Sequence, residues 1–388
     1  MSLRKRYQWV KHTSKDWHGV SRHFRTKAQV FSRGVVRAHS SHLRKIAGGS
    51  DGRADSQRRL QRFLVAPQPM NSFFQHWTRS VVETLKQRHI VLVVDETKLK
   101  AAFGVMVVGV VYEGRCIPLA WRVYRANSRP DYPREGQTRM VIRLLKQVKA
   151  GLPPGTPVRV LADRDIGPSP LLMRGIMALK WTFLFRVTKQ SKLILPGGEA
   201  VCCYDQVTAP GHTYHASGRV FKKRGRIPAH VRVLWGKDAQ DRWALVTNDP
   251  ALSGWEYAQQ MWMEQTFHDL KSHGWQVESA CMSDPHRMAR LWMLLVGTAV
   301  LLSGGGAAKK RRADGTLVRC WSVFREGRQA FLAASRLKLL SLPLYAVAEG
   351  ATVNLSQKSQ SVQICEKKER WLPPVRSSNA LIWGLLLR

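Results

Sequence analysis

IVLVVD, residues 90 to 95, sets five apolar, strand-favouring residues directly before an acid. Just downstream, GVMVVGVVYEGRCIPLAWRVY at 104 to 124 is two long apolar runs parted by Glu113-Gly114-Arg115. Runs of this kind bounded by turn residues predict a strand and then a hairpin. Further on, Met140, Val141, Leu144, Leu145 and Val148 recur at helical spacing within 137–149, and PVRVLAD (157–163) reads as a strand. PSPLLMRGIMALK (168–180) reads as a helix with proline near its start, and WTFLFRVT (181–188) as another strand. The order β-β-β-α-β-α-β predicts an α/β fold with a mixed sheet. Residues 190–240 break that rhythm with Gly, Pro and short alternating segments such as HVRVLWG, so a β-rich insertion is expected there. It carries the basic cluster KKRGR at 222–226, with Lys222, Lys223 and Arg224. RWALVTND (242–249) resumes as a strand, a helix begins at about 254, and the chain beyond 285 reads as mostly helical. A basic break, GGGAAKKRRADG, falls at 304–315.

Charge narrows the partner. The 388 residues hold 63 Lys and Arg against 26 Asp and Glu, a net +37, which points to a polyanion and first of all to nucleic acid. A membrane is a poor alternative, because the apolar run LWMLLVGTAVLLS (291–303) is shorter than the roughly 20 residues a span needs and reads as a buried helix. Six cysteines without a CxxC pair suggest reduced thiols and a cytoplasmic protein. Residues 1–62 concentrate sixteen Lys and Arg against three acids, interleaved with Trp9, Trp17, Phe24 and Phe31. That pattern fits a helical module lying on DNA phosphates, with a solvated tail as the alternative.

Three acids stand out. Asp95 closes IVLVVD and Asp163 closes VRVLAD; an acid at the mouth of a buried strand either forms a site or caps the next loop. Glu264 lies in YAQQMWMEQTFHDLK (257–271), where Tyr257, Gln260, Glu264, His268 and Lys271 recur at intervals of three and four as one helical stripe. Met263, Phe267 and Leu270 form the stripe expected to face the core. Three carboxylates of this kind can bind a pair of magnesium ions for phosphoryl transfer. Glu96 is set aside because strand alternation turns it away from Asp95. Asp165 remains a neighbour of Asp163 in the adjoining loop. Taken singly, Tyr257 also reads as core and Lys271 as a solvated lysine.

The order of strands, with Asp95 on the first, Asp163 after the fourth, a β insertion and Glu264 on a later helix, resembles the RNase H-like core of DDE transposases. More closely, it resembles the cut-and-paste insertion-sequence enzymes with a Y-x2-R-x3-E-x6-K signature, matched by Tyr257, Glu264 and Lys271 with Gln260 in place of the arginine. DRDIG (163–167) resembles the segment around the family's second aspartate. The resemblance covers about 90–300. It implies Asp95, Asp163 and Glu264 as catalytic ligands of two Mg2+ ions, or Mn2+, and a homodimer acting on transposon ends and target DNA. It also implies DNA contacts from Tyr257 and Lys271 and at the position of Gln260, where the family's arginine contacts a phosphate; His268, Lys271 and Arg287 or Arg290 are the candidates to compensate for the missing arginine. Lys222, Lys223 and Arg224 are further DNA-contact candidates. Trp235 stands where related enzymes use an aromatic residue to hold a base flipped from the duplex; its alternative is a core residue of the insertion. The expected organisation is a basic helical DNA-binding region (1–85), a core (86–189 and 241–300), a β insertion (190–240) and a helical C-terminal region (301–388). Rival readings are an RNase H-like nuclease without strand transfer and a non-catalytic DNA-binding derivative.

Overall fold

The computed structural model describes residues 22–50, 54–66, 70–100, 102–126, 130, 132–221, 225–271, 274–309, 322 and 324–329. The described residues begin with four helices: α1 (Arg22–Ala38), α2 (Leu43–Ser50), α3 (Ser56–Val65) and α4 (Met70–Leu85). Strands β1 (Ile90–Leu99), β2 (Phe103–Tyr112) and β3 (Arg115–Arg125) come next, then α5 (Gly136–Gly151), β4 (Val158–Ala162), α6 (Pro170–Ala178) and β5 (Thr182–Arg186). After them lie β6 (Lys192–Ile194), β7 (Ala200–Cys202), β8 (Thr213–Val220), β9 (Ile227–Leu234) and β10 (Trp243–Thr247). Helices α7 (Met261–Leu270) and α8 (Pro285–Lys309) close the series. The described residues divide between two compact units, one of chain up to Pro157 and from Trp262 onward, the other from Val158 to Met261.

In the first unit β1, β2 and β3 form an antiparallel meander. Glu113 (φ 47°) and Gly114 (φ 76°) turn β2 into β3, the positive-φ pair that a two-residue hairpin requires. Pairing of β1 with β2 runs on from Asp95 opposite Val107 to Leu99 opposite Phe103. Asp95 therefore stands within a ten-residue strand rather than at its end, a correction to the sequence reading. Apolar residues cannot report this extension, because ETKL lacks an apolar alternation and is held by the ladder. Helix α4 is fixed to β3 by the Trp77 indole N–H, which donates to the Pro118 carbonyl at 2.8 Å. Its Phe74 ring meets Trp121 edge-on at 4.8 Å. Gly151 of α5 lets that helix approach α4, since a Cβ there would sit 2.4 Å from the Gln75 carbonyl oxygen.

The basic N-terminal stretch is packed from Arg22 onward, which removes the solvated-tail alternative for those residues. Phe24 and Phe31 of α1 both meet Phe63 of α3, at 4.6 and 5.5 Å between ring centroids. Arg33 is buried and donates to the carbonyl of Ser50 at the end of α2. Arg37, Arg44, Lys45, Arg58 and Arg62 stay exposed. Residues 291–296 of α8 are buried, as expected of that apolar run. The helix continues through Gly304–Gly306 to Lys309, so the expected break at 304 does not begin there; residues 310–321 lie outside the described residues.

In the second unit β4 and β5 are parallel, and β10, β9, β8, β6 and β7 continue beyond β5 by antiparallel pairing. The expected β-rich insertion is thus built onto β10 and widens the sheet. Lys222, Lys223 and Arg224 lie outside the described residues. Ser169 caps α6 by accepting the Leu172 N–H at 3.3 Å, with Pro170 in the first turn, where a missing N–H breaks no helical bond. Among the described residues no helix is long and apolar enough to cross a membrane.

Candidate active site

In the first unit, register decides which groups share a face. Cross-strand partners point the same way and residues two apart do too. Val93 pairs with Gly109 and Asp95 with Val107, so Asp95 and the open face of Gly109 lie on one side of the meander. A Cβ on Gly109 would sit 2.9 Å from the Met263 terminal methyl, which places α7 on that same side. Cys116 belongs there as well, because it pairs with Val111. Burial pushes the Cys116 thiol well up, and the charge of Asp95 pushes it further, against a smaller opposite effect of Arg115. The thiol is thus a protonated wall of the site and not a nucleophile.

Helix α7 is clamped to the edge strand β3. The Thr266 hydroxyl accepts from the Cys116 N–H at 2.8 Å and lies 2.9 Å from the Cys116 carbonyl, to which it can donate. Arg115 adds an ion pair to Asp269 at 2.6 Å. Composition does not reveal these anchors; the sequence reading placed Met263, Phe267 and Leu270 toward the core, which holds, but did not see Thr266. Glu264 and His268 are exposed on the other side of α7. Lys271, one residue past the helix, is half-buried; burial lowers its pKa, against the attraction of Glu278 and Asp95. Helix α7, with Glu264 and His268 exposed on it, thus lies on the side of the meander that bears Asp95, and Lys271 feels the Asp95 charge. Glu96 points to the opposite face, toward Gln137, where burial and its nearby charge push the Tyr124 and Tyr132 phenols up.

The single helical stripe from Tyr257 to Lys271 needs correction. Trp255–Gln260 is a 3-10 segment entered through Gly254 (φ 100°), and the α-helix begins only at Met261. With three residues per turn, Tyr257 and Gln260 fall out of phase with Glu264. Both are buried, Tyr257 edge-on to Trp243 at 5.2 Å and Gln260 with its Oε1 lacking a hydrogen-bond partner. Neither presents its side chain to an outer surface. Of the two arginines expected to compensate for Gln260, Arg287 is exposed while Arg290 is buried 5.2 Å over the Phe24 ring. Burial alone brings the Arg290 pKa down to about 10.

In the second unit Asp163 comes directly after β4, as expected. Its Oδ1 accepts from the Asp165 and Ile166 N–H groups, both at 3.1 Å, so the loop-capping alternative is realised. Burial nevertheless raises its pKa, the Asp165 charge adds to that, and the two backbone bonds and Arg164 oppose it. The next residues, Arg164 and Asp165, line a cavity of about 450 Å³ with Arg186, Thr188, Lys189, Gln190, Tyr204 and Arg242. Trp235 lies just past β9 and is half-exposed, its indole N–H donating to the Ala239 carbonyl at 2.8 Å, with the Arg242 guanidinium 5.2 Å over its ring. It is not a buried core residue of the insertion.

Asp95, Asp163 and Glu264 offer the hard oxygen donors that magnesium takes, so the donor chemistry fits. Among the described residues no three His, Cys, Asp or Glu side chains form a group that could hold a metal ion by itself. Magnesium at phosphoryl-transfer sites commonly rests on one or two carboxylates plus substrate phosphates, and such a site needs no complete protein cage. Residues 86–301 match the family described as the transposase DDE domain. No curated protein matches the chain.

Proposed function

The chain belongs to the transposase DDE domain family, and on that basis we propose that it cuts DNA at transposon ends and joins the freed ends to target DNA. The observation that carries this reading is the extent of the match, which takes in Asp95, Asp163 and Glu264 together. That α7, the helix carrying Glu264, packs on the side of the β1–β3 meander that bears Asp95 supports it.

In this reading Asp95, Asp163 and Glu264 are the residues that would hold two magnesium ions, whose chemistry would be to activate the attacking oxygen and stabilise the leaving one. Water attacks the phosphorus at the transposon end and the P–O3′ bond breaks, leaving a 3′-hydroxyl. That hydroxyl then attacks a target phosphodiester, forming a new P–O bond as the target 3′-oxygen leaves. His268 and Lys271 flank the carboxylates as phosphate contacts. Tyr257 and Gln260, being buried, pack the segment that leads into α7. The half-exposed ring of Trp235 is available for stacking on an unpaired base, and the exposed cations of α2 and α3 supply phosphate attraction. Two copies would hold the two ends.

The test uses DNA carrying the inverted repeats that flank the coding region. Asp95→Asn and Glu264→Gln should each abolish nicking in magnesium while leaving DNA affinity within a few-fold. Full cleavage by either variant sinks the assignment. Cleavage without joining to a target duplex would favour the nuclease reading.

A further inference from the structure

The cavity lined by the residues that follow Asp163 has a largely cationic wall. Among the described residues Arg164, Arg186, Lys189 and Arg242 line it with a single acid, Asp165, and with Thr188, Gln190 and Tyr204. The wall is braced from behind. Asp241, which does not line the cavity, takes the Tyr204 hydroxyl, accepts from Arg186 at 3.0 Å and lies 4.0 Å from the Lys189 ammonium. Arg242 is clasped by the Val207 carbonyl and by Asp205 at 3.6 Å, and its guanidinium stacks 3.9 Å over the Tyr204 ring. The guanidinium groups of Arg186 and Arg242 are thus oriented before a ligand arrives, with the exposed Arg164 and Lys189 beside them, an arrangement that recognises phosphate oxygens. At about 450 Å³ the cavity is larger than a lone anion requires and lies within the range of small-ligand pockets.

We propose that this cavity is a phosphate-binding subsite for a single nucleic-acid strand, with Arg164 and Lys189 as the direct contacts and Asp241 as the residue that positions its donors. The proposal rests on the reading of DNA as partner. Asp241 matters because it distinguishes a built site from diffuse basic charge. Burial would raise its pKa, but the Tyr204 bond and the charges of Lys189 and Arg186 outweigh that and hold it below the usual carboxylate range, so it stays ionised as the anchor.

The experiment measures equilibrium binding of a fluorescent single-stranded oligonucleotide to the full chain across a salt series. Lys189 is 63% exposed and Arg164 is exposed, so Arg164→Ala/Lys189→Ala should fold normally, with an unchanged melting temperature. We expect at least ten-fold weaker binding, and a slope of log affinity against log salt reduced by about 0.7 for each phosphate no longer neutralised. Asp241→Asn should also weaken binding several-fold. Simple electrostatics gives the opposite sign, since this change makes the protein more positive. Unchanged affinity in the double variant, or tighter binding in Asp241→Asn, overturns the proposal. Inorganic pyrophosphate is titrated in parallel; if it binds the wild type but not the double variant while strand affinity is equal in both, the cavity serves a free anion and the strand assignment fails. Failure of the wild type to bind any DNA would instead refute the transposase reading.

Discussion

Thr266→Val removes one oxygen and keeps the shape of the side chain, so its effect isolates the clamp between α7 and β3. The hydroxyl accepts from the Cys116 N–H, and its one proton lies within reach of the Cys116 carbonyl at 2.9 Å and the Trp262 carbonyl at 3.0 Å; Thr266 and Cys116 are buried at 7% and 2% exposure. Valine leaves both backbone groups without that partner. A buried polar group stripped of its bond costs about 1–3 kcal/mol, so the pair amounts to roughly 1–5 kcal/mol once the added methyl burial offsets about 0.8 kcal/mol of it. At about 2–4 °C per kcal/mol, the melting temperature should fall by at least about 2 °C. The function should suffer beyond that, because α7 carries Glu264 over the face that holds Asp95. Urea denaturation gives the stability, and magnesium-dependent nicking measured well below the new midpoint gives the function. Thr266→Ser, which keeps the hydroxyl, is the control and should recover most of both. A valine variant within about 0.5 kcal/mol of wild type, a difference ordinary for surface changes, with nicking intact, would show that water or a backbone shift replaces the hydroxyl and that the clamp does not set the helix.

Asp163→Asn keeps the Oδ1 acceptor for the Asp165 and Ile166 N–H groups but removes a charge whose pKa is raised by burial. A raised folded-state pKa gives the wild type stability that is present below the unfolded value, about 3.9, and lost as pH rises through the folded one. The variant should therefore gain on the wild type across that window and hold the gain at neutral pH while losing nicking; thermal melts between about pH 3 and 7 that stay parallel would refute this. Gly109→Ala should push the Met263 methyl and cost about 1–3 kcal/mol by overpacking, read in the same urea series, and Met263→Ala in the same background should recover part of it. Replacing the exposed Arg37, Arg44, Lys45, Arg58 and Arg62 with Ala leaves the packed faces of α1–α3 intact and should flatten the salt dependence of duplex binding, by about 0.9 for each phosphate left unneutralised; an unchanged slope would place the phosphate contacts elsewhere. Trp235→Ala should leave the first nick nearly unchanged and slow the step after it; equal slowing of both, with a lowered melting temperature, would assign the ring to support of the insertion.

Local periodicity and turn chemistry were enough to specify the main strands, the hairpin at Glu113-Gly114, the face opposition of Asp95 and Glu96, and the inward side of α7. Each rests on neighbouring residues whose backbone preference does not depend on distant chain. The acids were equally visible, because a carboxylate ending an apolar run is conspicuous. The signature stretch is not one continuous helix: the 3-10 turn Trp255–Gln260, entered through Gly254, puts Tyr257 and Gln260 out of phase with Glu264, and a spacing of three and four residues is compatible with either kind of turn. The length of β1 past Asp95 was likewise set by its ladder with β2 and not by its own polar residues. Thr266, Asp241 and the cationic cavity emerged only from the folded chain. Their partners lie at Cys116, Tyr204, Arg186 and Arg164, remote in sequence, and a hydroxyl or a lone aspartate has no periodic signal; its meaning comes from which unpaired donor or acceptor the fold brings to it.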